Sequence, residues 1–369
     1  MERIVLAYGG GLEAALAIPW LKTEYRAEVV TVPLDLGQGR ELEAIRDRAL
    51  ACGALRAHVL DLRDEFVRAF VLPSLRADAL YDERSPMASA LGRPLIARTL
   101  CEIAEIEQAT AVAHGGGRRG TRVALDVLLK ALRPKLKVLS PVRDWGLSPS
   151  EIDQRARRLG MSAPAAGPCL AESNLWGRTM EIPSLDDSWT EPSEDVFALT
   201  RRASECPDEP AYVELAYVHG VPASINGVPL PLPDLIASLG TIAAAHGVGR
   251  IDMVEHRVGG ATLREVAEAP AAVLLHAGHR GLQKLSAPRD VERFARTVSA
   301  EYADIIYNGH WFSPLRAALD GFVDVAQVRS TGAVRLKLFK GAYSIVGRST
   351  AQAAPVPRAS AILPVVHAV

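Results

Sequence analysis

Three consecutive glycines follow the first apolar segment of the chain. Gly9, Gly10 and Gly11 lie between residues 3–8, which are typical of a strand, and a segment with helical spacing of apolar residues. Glycine lets the backbone approach a ligand closely, and a helix N-terminus offers unpaired N–H groups to an anion. The pattern favours a phosphate-binding turn over its alternative, a tight turn without a ligand. It is not a Walker loop, because no Gly-Lys-Ser/Thr sequence ends it.

A basic cluster follows His114 further along the chain. Arg118, Arg119 and Arg122 could clamp a phosphate or a carboxylate, or they could lie on a loop with their charges in water. The residue types give these two interpretations equal weight. For His114 the commoner outcome is a packed histidine at the end of a strand.

Composition excludes several classes of protein. The chain has 369 residues, more than one compact core usually holds, which predicts two domains. With 42 basic and 43 acidic side chains it has no electrostatic preference for nucleic acid or an anionic membrane. The 4 cysteines show no CxxC spacing, which argues against a zinc site or a disulfide framework. No apolar run is long enough to span a bilayer, so we expect a cytoplasmic protein.

The first half of the chain alternates between strand-like and helical segments. Such alternation predicts parallel strands joined by right-handed crossovers, that is, a doubly wound α/β domain. Pro94 is expected in the first turn of a helix, and the sequence from Ser148 to Glu151 is a capping box that starts another. The predicted strands are 3–8, 27–33, 58–61, 109–114 and 137–139.

The second half predicts an α+β domain. Asn226-Gly227 is a turn signal, and Gly247 is a plausible residue just beyond a helix end. Strands are predicted at 212–218, 271–277, 334–339 and 343–346, and helices at 286–307 and 314–319. We place the domain boundaries at 1–164, 165–350 and 351–369, the last being a proline- and alanine-rich tail or arm.

The glycine-rich turn resembles the pyrophosphatase loop of N-type ATP pyrophosphatases, whose pattern is Ser-Gly-Gly-x-Asp-Ser/Thr. Further segments, collinear from about residue 3 to residue 349, are similar to argininosuccinate synthases. They are Leu36-Gly37-Gln38-Gly39, Leu91-Gly92-Arg93-Pro94-Leu95, Ala113-His114-Gly115, Asn174-Leu175-Trp176-Gly177-Arg178, Gly249-Arg250-Ile251-Asp252-Met253-Val254-Glu255, Trp311-Phe312-Ser313-Pro314 and Thr331-Gly332-Ala333-Val334-Arg335.

The resemblance implies a specific reaction. Members of this family use ATP, with Mg²⁺, to adenylate the ureido oxygen of citrulline, and the amine of aspartate then displaces AMP. It also implies a homotetramer with a C-terminal arm that reaches across subunits. The ATP-binding positions it implies are Ala7, Tyr8, Gly9, Gly10, Gly11, Glu13, Ala14, Leu34 and Gly115.

The amino-acid positions implied by the resemblance are largely altered. Ser85 and Ala267 replace tyrosines, Ala124 an arginine, and Leu170 a serine, while Glu255 is unchanged. In the glycine-rich turn, Gly9, Glu13 and Ala14 replace the serine, aspartate and threonine or serine. Leu34 replaces a small alanine, and Glu172 replaces an aspartate. The full set of positions implied to hold amino-acid substrates is Ser85, Ser89, Ala90, Gly117, Thr121, Arg122, Leu170, Thr179, Glu255 and Ala267.

These departures lead to three hypotheses. We favour an ATP-dependent C–N ligase with altered substrates, because a site that recognises polar groups loses affinity steeply when its partners vanish. The alternatives are a catalytically inactive paralogue that acts as a binding or regulatory protein, and an ordinary argininosuccinate synthase with tolerated substitutions. Trp176, Trp311 and Phe312 are expected to be core or domain-contact aromatics rather than ligand-stacking residues.

Overall fold

The computed structural model describes residues 2–39, 41–115, 123–158, 160, 170–182, 189–256 and 262–350. The elements of its first half are β1 (Arg3–Ala7), α1 (Leu12–Tyr25), β2 (Glu28–Val32), β3 (Leu34–Asp35), α2 (Leu42–Ala51), β4 (Arg56–Ala57), β5 (Leu60–Asp61), α3 (Arg63–Phe66), a π-helical turn (Val67–Val71), α4 (Leu72–Arg76), α5 (Ala88–Ile106), β6 (Ala111–Ala113), α6 (Val123–Leu132), β7 (Lys137–Leu139), α7 (Pro141–Asp144) and α8 (Pro149–Arg158).

The first half is built on a five-stranded parallel sheet in the order β4-β2-β1-β6-β7. Alternate residues of β1 point to opposite faces: Ile4 and Leu6 pack with α1 and α2, and Val5 packs with α5 and α6. Helices therefore cover both faces of the sheet, which explains why its central strands are mostly apolar. The predicted doubly wound fold is confirmed.

Two details of the first half differ from the prediction. The predicted third strand, 58–61, is displaced: β4 pairs with β2 in the main sheet, whereas β5 pairs with β3 in a separate two-stranded sheet. Pro94 is not in a first turn, because α5 begins at Ala88 and Pro94 lies inside it. The helix start was missed because its N-cap, Met87, has a left-handed backbone (φ 52°) and no capping side chain.

The second half contains two antiparallel sheets and four helices among the residues that the structure describes. Its elements are β8 (Leu170–Asn174), β9 (Gly177–Glu181), β10 (Ala211–Val218), β11 (Val221–Ile225), β12 (Val228–Pro229), α9 (Leu232–Ala245), β13 (Arg250–His256), β14 (Thr262–Glu268), α10 (Pro270–Ser286), α11 (Arg289–Tyr307), α12 (Pro314–Gln327), β15 (Gly332–Phe339) and β16 (Ala342–Thr350), with short 3₁₀ turns at Glu194–Val196 and Ala203–Glu205.

The strand predicted at 271–277 is wrong. These residues form the first half of α10, which is buried around most of its circumference. A short apolar run does not distinguish a buried strand from a buried helix. The sheet β13-β14-β9-β8 was not predicted at all, because its strands carry charged residues on both faces and lack a continuous apolar pattern. No helix in the described part of the chain is long and apolar enough to cross a membrane.

The turn between β8 and β9 connects the two halves of the molecule. Trp176, which is 1% exposed, donates its indole N–H to the carbonyl of Pro86 (3.1 Å). Asn174 Nδ2 donates to the carbonyl of Ala88 (2.7 Å), and the N–H of Leu175 donates to the carbonyl of Leu36 (2.8 Å). These bonds place the β8–β9 turn against the start of α5 and the loop after β3.

We expect Trp176→Phe to weaken this connection. The variant keeps an aromatic ring but leaves the buried Pro86 carbonyl without its donor, which costs about 1–3 kcal/mol of unfolding free energy. Thermal denaturation measures the loss. Trp189→Phe, at a tryptophan that is 94% exposed, is the matched control and should leave the midpoint unchanged. Equal midpoints for the two variants would contradict the assigned role of Trp176.

A buried histidine lies between α10 and α12. His279 Nε2 lies 3.0 Å from Gln327 Oε1, and the Gln327 amide donates to the carbonyl of Arg76 (2.8 Å). Desolvation lowers the pKa of His279 from 6.5 to about 4, although the charge of Asp78 and the bond to Gln327 act in the opposite direction. The imidazole is therefore neutral in the folded protein at neutral pH.

This titration predicts a pH dependence of stability. Between pH 6.5 and about 4, His279 binds a proton in the unfolded state but not in the folded state. The free energy of unfolding is therefore highest above pH 6.5 with respect to this group, and it decreases as the pH falls through this window. His279→Gln should remove up to about 1.4 kcal/mol per pH unit of that slope. Unfolding measured between pH 7 and 4 tests it, with the exposed His310→Gln as control. Parallel pH profiles for parent and His279→Gln would refute the assignment.

Candidate active site

The glycine-rich turn leaves β1 at the centre of the parallel sheet. Gly10 has φ +74°, and a Cβ there would lie 2.9 Å from Ile45 Cγ1, so a side chain is excluded by both backbone and packing. A Cβ at Gly9 or Gly11 would meet no atom within 4 Å. Arg48 Nη1 donates to the Gly10 carbonyl (2.8 Å). The turn thus packs against Ile45 and Arg48 on one side and is open at Gly9 and Gly11.

The turn feeds directly into the N-terminus of α1. Gly11 is its N-cap and provides no side-chain hydrogen bond, so the first N–H groups are free of a capping side chain. Unpaired N–H groups and the helix dipole favour an anion at this position. Glu13, exposed in the first turn, carries the opposite charge to the one that an anion requires.

The position of the turn in the sheet is the one at which α/β proteins bind ligands. The chain leaves β1 toward β2 on one side, and β6 lies on the other side, so the strand order reverses between β1 and β6. Ligands bind at such a switch point, outside the carboxyl ends of the strands. Tyr8 and Gly115 follow the two strands at this edge, and Leu34 follows β2.

An ion-pair cluster closes the same edge of the sheet. His114, buried directly after β6, lies 2.7 Å from Asp126 Oδ1 on α6, and Arg143 lies 3.4 Å from the other Asp126 oxygen. Burial opposes ionisation of Asp126, but the hydrogen bond and charge of His114 and the charge of Arg143 outweigh it and lower the Asp126 pKa. His114 is therefore a packed strand-end residue that anchors the chain just before Gly115. Asp126 was not predicted, since no sequence pattern links it to His114.

Part of the predicted site lies outside the described residues. Gly117, Thr121 and Arg122 lie outside the described residues, and so do Arg118 and Arg119. The structure therefore does not distinguish the two interpretations of the arginine cluster. Ala124 is described: it is buried in α6, and a Cβ added to Gly309 would meet the Ala124 backbone at 2.5 Å. Its small side chain belongs to a close contact between α6 and the segment after α11.

Four of the predicted amino-acid positions fall on one face of the antiparallel sheet. Thr179 pairs with Ala267, which pairs with Ile251 in the next strand. Leu170 pairs with Glu181, two positions from Thr179 on β9, and Glu255 lies four positions from Ile251 on β13. Since strand positions alternate between faces, all four share the face that carries Ile251. The sequence had scattered them over almost 100 residues.

The remaining predicted positions lie at the start of α5, which packs against β8 and β9. Ser85 is buried and its Oγ accepts from the N–H of Met87 (3.2 Å). Ala90 is buried as well. Ser89 Oγ is buried without a hydrogen-bond partner in the described part of the chain. A buried hydroxyl without a partner is costly unless a ligand or water completes it. The structure thus brings 85–90 and the sheet together across the β8–β9 turn.

The outer face of this sheet is fastened by a buried carboxylate. Glu268 accepts from the N–H groups of Ala198, Leu199 and Thr200 (2.8–2.9 Å) and from Arg178 Nη1 (3.0 Å). This network holds 198–200 against the sheet and leaves the opposite face for the positions described above. Within the described ranges, no group of three or more His, Cys, Asp or Glu side chains is arranged to hold a metal ion.

Two family models match the chain end to end. The Arginosuccinate synthase N-terminal HUP domain matches residues 3–161, and the Arginosuccinate synthase C-terminal domain matches residues 171–355. The chain belongs to the argininosuccinate synthase family. The predicted resemblance is confirmed, and with it the prediction of an ATP-dependent ligase that forms a C–N bond.

Curated relatives agree along almost the whole length. The argininosuccinate synthase of Gloeobacter violaceus is 46% identical over 95% of this chain and 89% of its own. Those of Trichodesmium erythraeum and Rubrobacter xylanophilus are 43% and 45% identical over 94% and 95% of this chain and 88% and 87% of theirs. Among solved structures, an NH3-dependent NAD synthetase from Campylobacter jejuni is similar over 43% of this chain and 64% of its own, at 18% identity and a TM-score of 0.28.

Two neighbouring glycines of the run, Gly9 and Gly10, should respond differently to substitution. Gly10→Ala forces a left-handed alanine against Ile45, and we expect it to lower stability by about 1–2 kcal/mol or more. Gly9→Ala meets no neighbour, and the serine of the family pattern has a Cβ at the same place, so this variant should fold normally and bind ATP about as well as the parent. Thermal denaturation without ATP, followed by ATP titration, separates the effects. A stable Gly10→Ala variant would contradict the geometry.

Proposed function

We propose that this protein is an ATP-dependent C–N ligase with the chemistry of an argininosuccinate synthase and altered amino-acid substrates. The observation that carries the proposal is the shared surface. Leu170, Thr179, Glu255 and Ala267 lie on one face of the sheet, opposite the start of α5. Leu170 and Ala267, the two altered positions among these four, share this surface with Glu255, which is unchanged, and this arrangement favours a changed substrate over general decay.

The nucleotide side of the proposal rests on backbone groups. The open side of Gly9 and Gly11, the uncapped N-terminus of α1 and the switch-point position fit a polyphosphate. Ala7, Tyr8, Ala14, Leu34 and Gly115 would surround the rest of ATP. Loss of side chains at 9 and 14 is tolerable there, because N–H groups do most of the phosphate holding.

Mg²⁺ is part of the proposal, held mainly by phosphate oxygens and water. Mg²⁺ commonly takes only one or two carboxylates from the protein. Glu13 is the nearest acidic side chain in sequence to the turn, and a cation between it and the phosphates would remove their mutual repulsion.

In the proposed reaction ATP supplies an adenylyl group to an oxygen of a citrulline-like substrate, with release of pyrophosphate, and an aspartate-like amine then displaces AMP. The protein's contribution is to orient the two reactants and neutralise charge. Ser89 and Thr179 would donate hydroxyl hydrogen bonds to the citrulline-like substrate, and Glu255 would accept from it. Gly117, Thr121 and Arg122 would hold the amine substrate.

The altered positions indicate how the substrate differs. Ser85, Ala90 and Ala267 are small and buried, where the family pattern carries larger or more polar side chains. Leu170 replaces a hydroxyl. A pocket with fewer polar partners discriminates against a strongly polar substrate and favours one with a larger or more apolar body.

The second candidate is an inactive paralogue that binds nucleotide or amino acid without turnover. It is favoured by the combined loss of side-chain groups at Gly9, Ala14, Ala124, Leu170 and Ala267. Homotetramer formation, the cytoplasmic location and the domain boundaries at 164 and 350 stay predictions.

Pyrophosphate release from ATP distinguishes these functions. The purified protein is assayed with Mg²⁺ and a matrix of ureido and carboxylate acceptors crossed with amino acids, including citrulline with aspartate. We expect release to exceed that with citrulline and aspartate for at least one other pair. Maximal release with citrulline and aspartate would establish the ordinary synthase instead. ATP binding by calorimetry without release under any condition would establish the paralogue.

Reversion of the turn provides a matched control. The triple variant Gly9→Ser, Glu13→Asp, Ala14→Thr restores the family's side chains without changing the amino-acid surface. It should raise ATP affinity and leave the order of substrate preference unchanged. A changed order of preference would show that the substrate surface is not where specificity resides.

A further inference from the structure

A cavity lies between the two halves of the molecule, next to Ser85 and Ala267 but lined by other residues. It has a volume of about 240 Å³ and is bounded by the turn after Leu80, by β13, by α10 and by Tyr343 of β16. This volume is slightly below the 300–1,000 Å³ typical of drug-sized ligands. It suits a smaller molecule, and none of the residues that we assign to ATP or to the ligase substrates lines it.

The cavity contains a buried polar group that the fold does not use. His276, 1% exposed, packs against the Trp176 ring, and its Nδ1 lies 2.8 Å from Asp78 Oδ1. Its Nε2 has no hydrogen-bond partner among the described residues. Since the Asp78 carboxylate accepts from Nδ1–H, Nε2 is the free end of an Asp–His pair and offers its lone pair as an acceptor.

Two arginines, Arg84 and Arg280, form the cationic side of the cavity. Arg84 is exposed, and no hydrogen bond or ion pair involves its guanidinium in the part of the chain that the structure describes. Arg280 makes only a long contact of 3.7 Å with Asp78 Oδ2. Arg250, also in the wall, is already bound to Glu194 and Thr200. Arg84 and Arg280 therefore remain available to a carboxylate.

The same cavity offers a negative group and an apolar wall. Glu83 precedes Arg84 in a tight turn in which the N–H of Arg84 donates to the Tyr81 carbonyl (3.1 Å). Asp82 and Glu83 both have left-handed backbones, with φ of 50° and 57°. Two such non-glycine residues in succession are costly, and strain of this kind is concentrated at functional sites. Leu80, Ile251 and Val273 form the apolar part of the wall.

We propose that this cavity binds a free α-amino acid with an apolar side chain, as a site separate from the ligase reaction. The carboxylate lies against Arg84 and Arg280, the ammonium group lies against Glu83 and the acceptor Nε2 of His276, and the side chain lies against Leu80, Ile251 and Val273. A zwitterion satisfies both signs of charge at once, whereas a simple anion leaves Glu83 facing it. The proposal does not rest on the ligase activity.

Calorimetry without ATP tests the proposal on the full-length protein. The probes are L-leucine, leucinamide, which lacks the carboxylate, and 4-methylpentanoate, which lacks the ammonium group. We expect L-leucine to bind and each truncated probe to bind at least about tenfold more weakly. Absence of L-leucine binding at millimolar concentration, or equal affinity for 4-methylpentanoate, would overturn the proposal.

Variants then locate the site. His276→Asn keeps a group at the Nδ1 position for Asp78 and removes the Nε2 atom, and Arg84→Ala removes an exposed side chain; each should weaken L-leucine at least about fivefold. Arg296→Ala, at an exposed arginine of α11, should leave binding unchanged. Ser89→Ala should also leave it unchanged. Binding lost in Ser89→Ala and retained in Arg84→Ala would assign the amino acid to the ligase pocket and refute a separate site. Neither result depends on whether pyrophosphate is released.

Discussion

The turn between β8 and β9 is the constraint on which the two-part site depends. Its three hydrogen bonds to the carbonyls of Leu36, Pro86 and Ala88 are directed at backbone atoms rather than side chains. A backbone acceptor does not change with substitution, so the relation between the halves is preserved while side chains vary. The sheet that carries Thr179 and Ala267 is thereby placed against the start of α5. The loop after β3 links this sheet to the edge of the parallel sheet where we propose that ATP binds.

The proposed ATP-binding edge of the parallel sheet also depends on backbone interactions. Gly10 takes a left-handed conformation over Ile45, Arg48 binds its carbonyl, and α1 begins at once. In the proposed ATP site, the groups described at this turn that could bind a phosphate are main-chain N–H groups. We therefore expect side-chain losses at Gly9 and Ala14 to weaken ATP binding less than equal losses weaken the proposed amino-acid site, where recognition depends on hydroxyl and carboxylate groups.

The sequence predicted the local backbone features well and the spatial arrangement of the side chains poorly. The glycine run, the alternation of strands and helices and the cap at Ser148 all depend on local rules, and the structure confirms them. The helix α10 was mistaken for a strand because burial on nearly all sides erases helical periodicity. The grouping of Thr179 with Ala267, and of His114 with Asp126, depends on strand register and on packing between distant segments, which no local pattern encodes.

The division between backbone interactions and altered side chains bears on the proposed function. If the protein had lost activity without a new role, substitutions would fall as often on scaffold contacts such as those of Trp176 and Glu268 as on the substrate face. Both residues instead retain complete sets of partners. Breaking a buried carboxylate network of this kind costs about 3–5 kcal/mol, so Glu268 keeps the outer face of the sheet closed. The inner face, which carries the positions that we propose for the amino-acid substrates, is thereby held in place.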